Sequence, residues 1–212
     1  TAADARPLDA ESLYALSNGG GDCAVLAAYS LDEAVQKNVV AVYGAEAKNL
    51  YAVPGSLFLT DTRSVSAESR RMSDDMGSYT EYADIVCTDL FRFDYDASGI
   101  RLGASGIVSG VLPEKSAIAP FGSGYVCLSR ISGSYLKKYE GTDSQIPASE
   151  QAGSALYTLD ASLTVTAKLS DLPDGGSILW AGFAPETVIL SGENGSYTVN
   201  LSVPGTITAV SG

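Results

Sequence analysis

Three times along this chain a pair of short apolar strands flanks a turn-forming break, and that recurrence limits the fold more than any other feature. The first pair, Asn49-Leu50-Tyr51-Ala52-Val53 and Ser56-Leu57-Phe58-Leu59, encloses Pro54-Gly55, and residues 116–129 and 177–191 repeat the arrangement. Each pair is followed by a strand ending near Asp or Asn (90–94, 155–160, 197–200) and then by a closing apolar strand (100–107, 163–169, 205–210). Short runs with period-two alternation, broken by Pro-Gly, Asp-Gly and Asn-Gly, specify sheet rather than helix. Four strands per unit, repeated in series, is the pattern of β-propeller blades. The expected fold is therefore all-β and β-propeller-like. It comprises three four-stranded blades (49–107, 115–169, 176–210) after a half blade (22–44), in a single partial domain spanning residues 1–212.

The period is uneven, with third strands starting near Asp22, Val86, Ser154 and Ser196. The last interval matches an uninterrupted blade of about 40–45 residues, whereas the two longer ones contain polar insertions at 64–83 and 132–152. Both insertions fall between the second and third strands of a blade and read as surface loops, where added residues cost little and functional variation collects. Residues 9–16 and 66–76 are the only stretches able to hold a helical turn, and both read as loop or a single turn. Three and a half blades fall short of the four to eight of a closed ring. The chain thus reads as a piece of a larger propeller. Alternatively, a homodimer completes one ring, or the short first segment completes the last blade.

A net charge of −12 and only 13 Lys and Arg, with no basic stripe, argue against nucleic acid as a partner. No apolar run approaches the ~20 residues of a membrane-spanning helix. The chain does not begin with Met, which reads as a processed or trimmed product whose leader is lost. Cys23, Cys87 and Cys127 are widely spaced and lack His partners, so zinc is disfavoured. They read as small buried hydrophobes, with a Cys23–Cys87 disulfide as the alternative.

On these residues the chain resembles the secreted β-propeller family of bacteria and archaea whose members carry a C-terminal β-propeller domain, over about residues 7–210. Residues 23–59 are similar to the family's strand, Asp-containing turn, strand and Asn-x-Tyr-Ala-x run. Residues 153–172 are similar to its Leu-Tyr-Val-Leu-Asp strand, and residues 177–202 to its final strand trio. The resemblance implies an exported protein, a propeller fold and no assigned activity. Where family members commonly carry an Arg-Phe-x-Gly-x-x-Ala-Tyr type run, this chain has Trp180-Ala181-Gly182-Phe183-Ala184-Pro185.

The absence of histidine removes Ser-His-Asp and Cys-His catalysis and imidazole-ligated metals. Ser134-Tyr135-Leu136-Lys137 spells Ser-x-x-Lys but lacks the Ser-Asp-Asn and Lys-Thr-Gly partners of that chemistry, and reads as a solvated loop. Asp94, Asp96 and Ser98 supply oxygens at positions 1, 3 and 5 of a calcium-type loop with Gly99 at position 6. Position 12 is Ser105 instead of a carboxylate, so a hairpin turn is the preferred reading and calcium the minority one. Asp84, Asp89, Asp94 and Asp160 are the carboxylates that a glycosidase-type site would have to use. Trp180 stands out as an aromatic partner-binding candidate, although its alternation with apolar neighbours reads as core between blades. Tyr135, Lys137, Lys138 and Tyr139 form the best partner-binding candidate, an amphipathic stretch in a polar insertion. Asn194 and Asn200 head N-glycosylation sequons.

The sequence supports an exported recognition scaffold for a protein or glycan at the cell surface. A carboxylate-based glycosidase or lyase ranks behind it, followed by a purely structural module. No cofactor is expected apart from the calcium option, and the location expected is secreted or cell-surface.

Overall fold

The structure, a computed structural model, describes residues 8–15, 22–43, 49–113, 117–142, 145–170, 172, 178–193, 195–201 and 206–210; the side chains at 67–69, 145, 148–151 and 206–210 are excepted. The described residues are all-β, with one 3-10 turn at Ala10–Ser12. No helix among them is long and apolar enough to cross a membrane. The strands are β1 (Leu13–Ala15), β2 (Cys23–Ser30), β3 (Val35–Tyr43), β4 (Asn49–Val53), β5 (Ser56–Asp74), β6 (Gly77–Asp96), β7 (Gly99–Ser109) and β8 (Ile118–Phe121). They continue as β9 (Gly124–Tyr139), β10 (Gln145–Leu159), β11 (Val165–Leu169), β12 (Ile178–Ala184), β13 (Thr187–Gly192), β14 (Gly195–Asn200) and β15 (Thr206–Val210). Residues 1–61 with 90–105 form one compact unit, and residues 62–89 with 106–212 form a second.

In the first unit, β2 and β3 make an antiparallel hairpin and β1 adds to β3 in parallel, giving the order β1-β3-β2. The half blade thus gains a third strand from a stretch that the sequence presents as loop. One face of this sheet packs into a core of Ala24, Val40, Val42, Leu59, Phe93 and Ile100, with Tyr14 meeting Phe93 edge-on at 6.0 Å between ring centres. The Pro54-Gly55 turn joins β4 to β5 as its sequence specifies, with Gly55 at φ 77°. A side chain completes the hydrogen bonding at the start of β7. The Asn38 amide donates to the Ile100 carbonyl at 2.7 Å and accepts from the Ile100 N–H at 2.8 Å, as a neighbouring strand would. Gly99 makes room for it: a Cβ there would lie within 2.4 Å of Asn38 Oδ1.

In the second unit the two insertions are strands, which corrects the loop reading of 64–83 and 132–152. Polar residues occupy both faces of these stretches, so the usual apolar signal of a strand is missing. Ladder hydrogen bonds come from the backbone and do not require it. The far ends of β5 and β6 form one hairpin, β9 and β10 form another, and β6 pairs with β9 from Tyr79↔Tyr139 to Ile85↔Gly133. One edge of β9 is thereby filled in succession by β8, by a bridge from Val111 to Arg130, and by β6. Hydrogen bonding consequently runs across the boundary between the segments 49–107 and 115–169. The strands β12 to β15 form a separate antiparallel four-stranded sheet in sequential order. Its buried face, with Ala181, Val188, Leu190 and Val199, packs into a core with Val126, Leu128 and Leu156.

The turns expected at Asp174-Gly175-Gly176, Asn194-Gly195 and Pro204-Gly205 fall wholly or partly outside the described residues, as does the Asn194 sequon; Asn200 is exposed at the end of β14. All three cysteines are free thiols. Cys127 is fully buried, and desolvation pushes its thiol up to about 12, so it behaves as a small hydrophobe. Cys23 departs from that expectation: it is exposed, because it lies on the unpacked face of β2.

Replacing Asn38 by Leu strands the Ile100 N–H and C=O without their partner. We expect a loss of about 2 kcal/mol, seen as a lower urea midpoint at unchanged m-value.

Candidate functional site

The paired hairpins put the sequence's binding candidates on a rigid sheet rather than a loop. Side chains alternate across a strand, so Tyr135, Lys137 and Tyr139 share one face of β9, while Lys138 points to the other. The same parity sends Ser134 and Lys137 to opposite faces, so the Ser-x-x-Lys pair cannot meet. Cross-strand register adds residues that sequence reasoning passed over. Tyr79 stands opposite Tyr139, Glu81 opposite Lys137, and Ala83 opposite Tyr135 on β6; Ile146 stands opposite Lys137 on β10.

A compact network holds this face. Asp74, at the end of β5, accepts from the Tyr139 hydroxyl at 2.7 Å and pairs with Lys137 Nζ at 3.0 Å. Its second oxygen takes the Met76 N–H at 3.0 Å, which closes the β5–β6 turn. Lys137 Nζ also sits 4.3 Å from the centre of the Tyr79 ring, and that ring lies 5.4 Å from Tyr139. Tyr79 is buried at 4% exposure and serves as the floor, whereas Tyr135, Lys137 and Tyr139 are half-buried and form the accessible surface. Arg70 pairs with Glu81 farther along.

Chemistry follows from these contacts. The Tyr139 hydrogen bond, then that of Lys137, lowers the Asp74 pKa, and Asp74 in turn raises those of Tyr139 and Lys137. At neutral pH the network is a fixed carboxylate, ammonium and phenol, each in its ordinary charge state. Such a set can position and hold a ligand.

The opposite face has a shallow polar depression of about 350 Å³ around Asp84, Ser64, Ser132 and Ser134. Asp84 accepts from Ser66 at 3.2 Å. A second hollow, of about 440 Å³, opens among Phe121, Leu156, Leu169, Val199 and Leu201 and is the open end of the second unit's core. Lys168 borders it, but in register Lys168 faces Tyr157, and its ammonium lies 5.6 Å from that ring. Lys168 is the charged residue among the described ones lining the hollow, and its ammonium is turned to the Tyr157 ring.

The remaining candidates are placed elsewhere. Trp180 is 47% exposed on β12, correcting the core reading. Its ring lies against the backbone of Gly182, where a Cβ would come within 2.3 Å of it. The parity of β12 puts Ala181 and Phe183 on the packed side and leaves Trp180 outward. Asp94 is held by Arg92 at 2.9 and 3.0 Å and by Ser56 at 2.9 Å. Asp96 closes the β6–β7 turn by accepting from the Ser98 N–H at 2.8 Å and from its hydroxyl, and it pairs with Arg101 at 3.1 Å. Those bonds, the Ser98 hydroxyl foremost, hold Asp96 at about 2. Asp94, Asp96 and Ser98 are thus engaged in turn and strand contacts. Among the described residues no three Asp, Glu, Cys or His side chains gather as a metal-ligand group. Asp89 is clasped by Arg63 at 2.6 and 3.2 Å. Asp160 caps its own turn through Ser162 and Thr164, which lowers its pKa.

No family model, curated protein or solved structure matches this chain. The functional reading rests on the face of the paired hairpins.

Replacing Tyr139 by Phe removes the largest cause of the Asp74 shift. The folded pKa of Asp74 lies below its unfolded value of about 3.9, so its favourable contribution is present above that pH and fades as pH falls through the folded value. In Tyr139→Phe the carboxyl should titrate closer to its ordinary value, as read by carbon-detected NMR of the Asp side chains.

Proposed function

We propose that this chain is a recognition scaffold, exported and acting at the cell surface, which presents the Tyr135–Lys137–Tyr139 face to a protein. In this reading the segments 49–107, 115–169 and 176–210 are successive blades of a propeller preceded by the half blade 22–44. The sequential strand order within each of the three supports it. The observation that carries the function is the gathering of Tyr135, Lys137 and Tyr139 on one face of a sheet, over a Tyr79 floor and braced by Asp74. Tyr gives large contact area at low entropic cost and keeps a polar tip, which is why it anchors protein interfaces. The bracing settles the cost of ordering Lys137 and Tyr139 before any partner arrives. A glycan is the second ligand class, favoured by the polar groups that Lys137 and Asp74 place beside the rings.

Immobilised chain should capture material from isolated cell-surface fractions, and protease treatment of those fractions should abolish the capture. The double substitution Tyr135→Ala with Tyr139→Ala should weaken binding by at least about tenfold, while Trp180→Ala leaves it unchanged. Loss on periodate treatment instead of protease would move the reading to a glycan. Full binding by the double variant would remove this face from consideration.

A further inference from the structure

The outer face of the last sheet, β12 to β15, carries the chain's sole tryptophan in an open position. Ala181, Val188, Leu190 and Val199 fill the packed side, so alternation places Trp180, Gly182, Ile189, Ser191 and Thr198 outward. A register shift between Ile178 and Trp180 leaves Leu179 without a partner on β13, and such a bulge re-aims the side chain beside it. Same-side positions of a strand are about 6.8 Å apart, close to the full reach of an indole. Yet a Cβ at Gly182 would come within 2.3 Å of Trp180 Cη2 and 3.1 Å of Cζ2. The ring therefore leans along the sheet over the glycine, with the residue 47% exposed. Register surrounds it with neutral groups: Ser191 stands opposite Trp180, Ile189 opposite Gly182, and Ser196 and Thr198 follow on β14.

We infer that this face binds an uncharged sugar ring, stacked on Trp180 and hydrogen-bonded by the hydroxyls of Ser191 and Thr198. Three observations select that ligand. The first is charge. No strand position from β12 to β15 holds Asp, Glu, Lys or Arg, in a chain with 25 acidic and 13 basic residues. Charges stand at the margins: Glu186 and Glu193 lie in the turns at either end of β13, and Arg130 Nε donates to the Ile178 carbonyl at 3.2 Å. An ionic ligand would lose its hydration on this face without a counter-charge. The second is the pairing of ring and hydroxyls. A pyranose has C–H groups on its face, which the negative face of an indole attracts, and hydroxyls around its rim, which need partners. The third is the bulge. β12 is an outer strand of its sheet, but the shift at Leu179 interrupts the row of backbone groups that an extended peptide would pair with. One ring of about a dozen heavy atoms on one aromatic side chain binds at roughly millimolar strength. That is too weak to hold washed surface material, so the site is read in solution.

The single tryptophan makes the test direct. Emission of Trp180 should shift and saturate as a tetrasaccharide of glucose, N-acetylglucosamine, mannose or galactose is added to the wild-type chain, for at least one of the four. Gly182→Ala should displace the ring and weaken that binding several-fold. Thr198→Val, which keeps the side chain's shape, should weaken it by about three- to tenfold. Trp180→Ala should abolish the sugar signal in saturation-transfer NMR. Tyr135→Ala with Tyr139→Ala should leave it intact, which keeps this result apart from that for the paired hairpins. Three outcomes would each overturn the inference: no saturable response to any of the four sugars, sugar binding that survives Trp180→Ala, or a response to tetraproline and to none of the sugars. Should a variant misfold, the wild-type titration decides alone.

Discussion

The ladder between β6 and β9, from Tyr79↔Tyr139 to Ile85↔Gly133, is the constraint on which the candidate site depends. An isolated two-stranded hairpin is marginal in water, and each of the two polar hairpins would be one without the other. Joined, they are a sheet of four strands in which every inner strand has both edges hydrogen-bonded. Gly133 permits the junction: a Cβ at that position would come within 2.9 Å of the Asp84 carbonyl oxygen. The chain therefore places its smallest residue where these two backbones come close, a few residues from the tyrosines that the junction aligns.

Electrostatics on this sheet are local. The Arg71–Glu140 pair is exposed on both sides and adds little to stability. The Asp74 network has a different role: one carboxylate satisfies the turn amide of Met76 and orients two side chains of a neighbouring hairpin. Two strands distant in sequence are thus cross-linked by polar contacts at their tips, where apolar burial is slight. The clasp of Asp89 by Arg63 does similar work nearer the centre, with two nitrogen–oxygen contacts between a half-buried pair.

Strand identity was legible wherever apolar residues alternated. The Pro54-Gly55 hairpin, the strands around 90–107 and 155–169, and the four strands between 178 and 210 all follow the pattern visible in the residues. The polar stretches 64–83 and 132–152 were not legible as strands, because hydrophobicity was the signal used and these residues have little of it on either face. A weaker signal was present: Tyr135, Lys137 and Tyr139 recur at a spacing of two, as do Tyr79, Glu81 and Ala83. Read by period instead of polarity, they mark one face of a strand. Asp74 and Tyr79 could not have been joined to the site from sequence, since their membership depends on register between hairpins some sixty residues apart. Trp180 was misplaced for a related reason. A strand's two faces are equivalent in sequence until something packs on one of them.

The sequence alone determined that this chain is β-rich, that Pro54-Gly55 and residues 96–99 turn the chain, and that it has no histidine, because backbone preference and residue inventory are local properties. Only the tertiary structure decided that the two insertions pair with each other, that Lys137 and Lys138 face opposite ways in effect as well as in principle, and that Cys23, Val25, Ala27 and Tyr29 of β2 are exposed. Those outcomes depend on which strand edges meet and in what register. A hydrogen-bond ladder between distant segments is blind to the side-chain polarity by which the sequence was read.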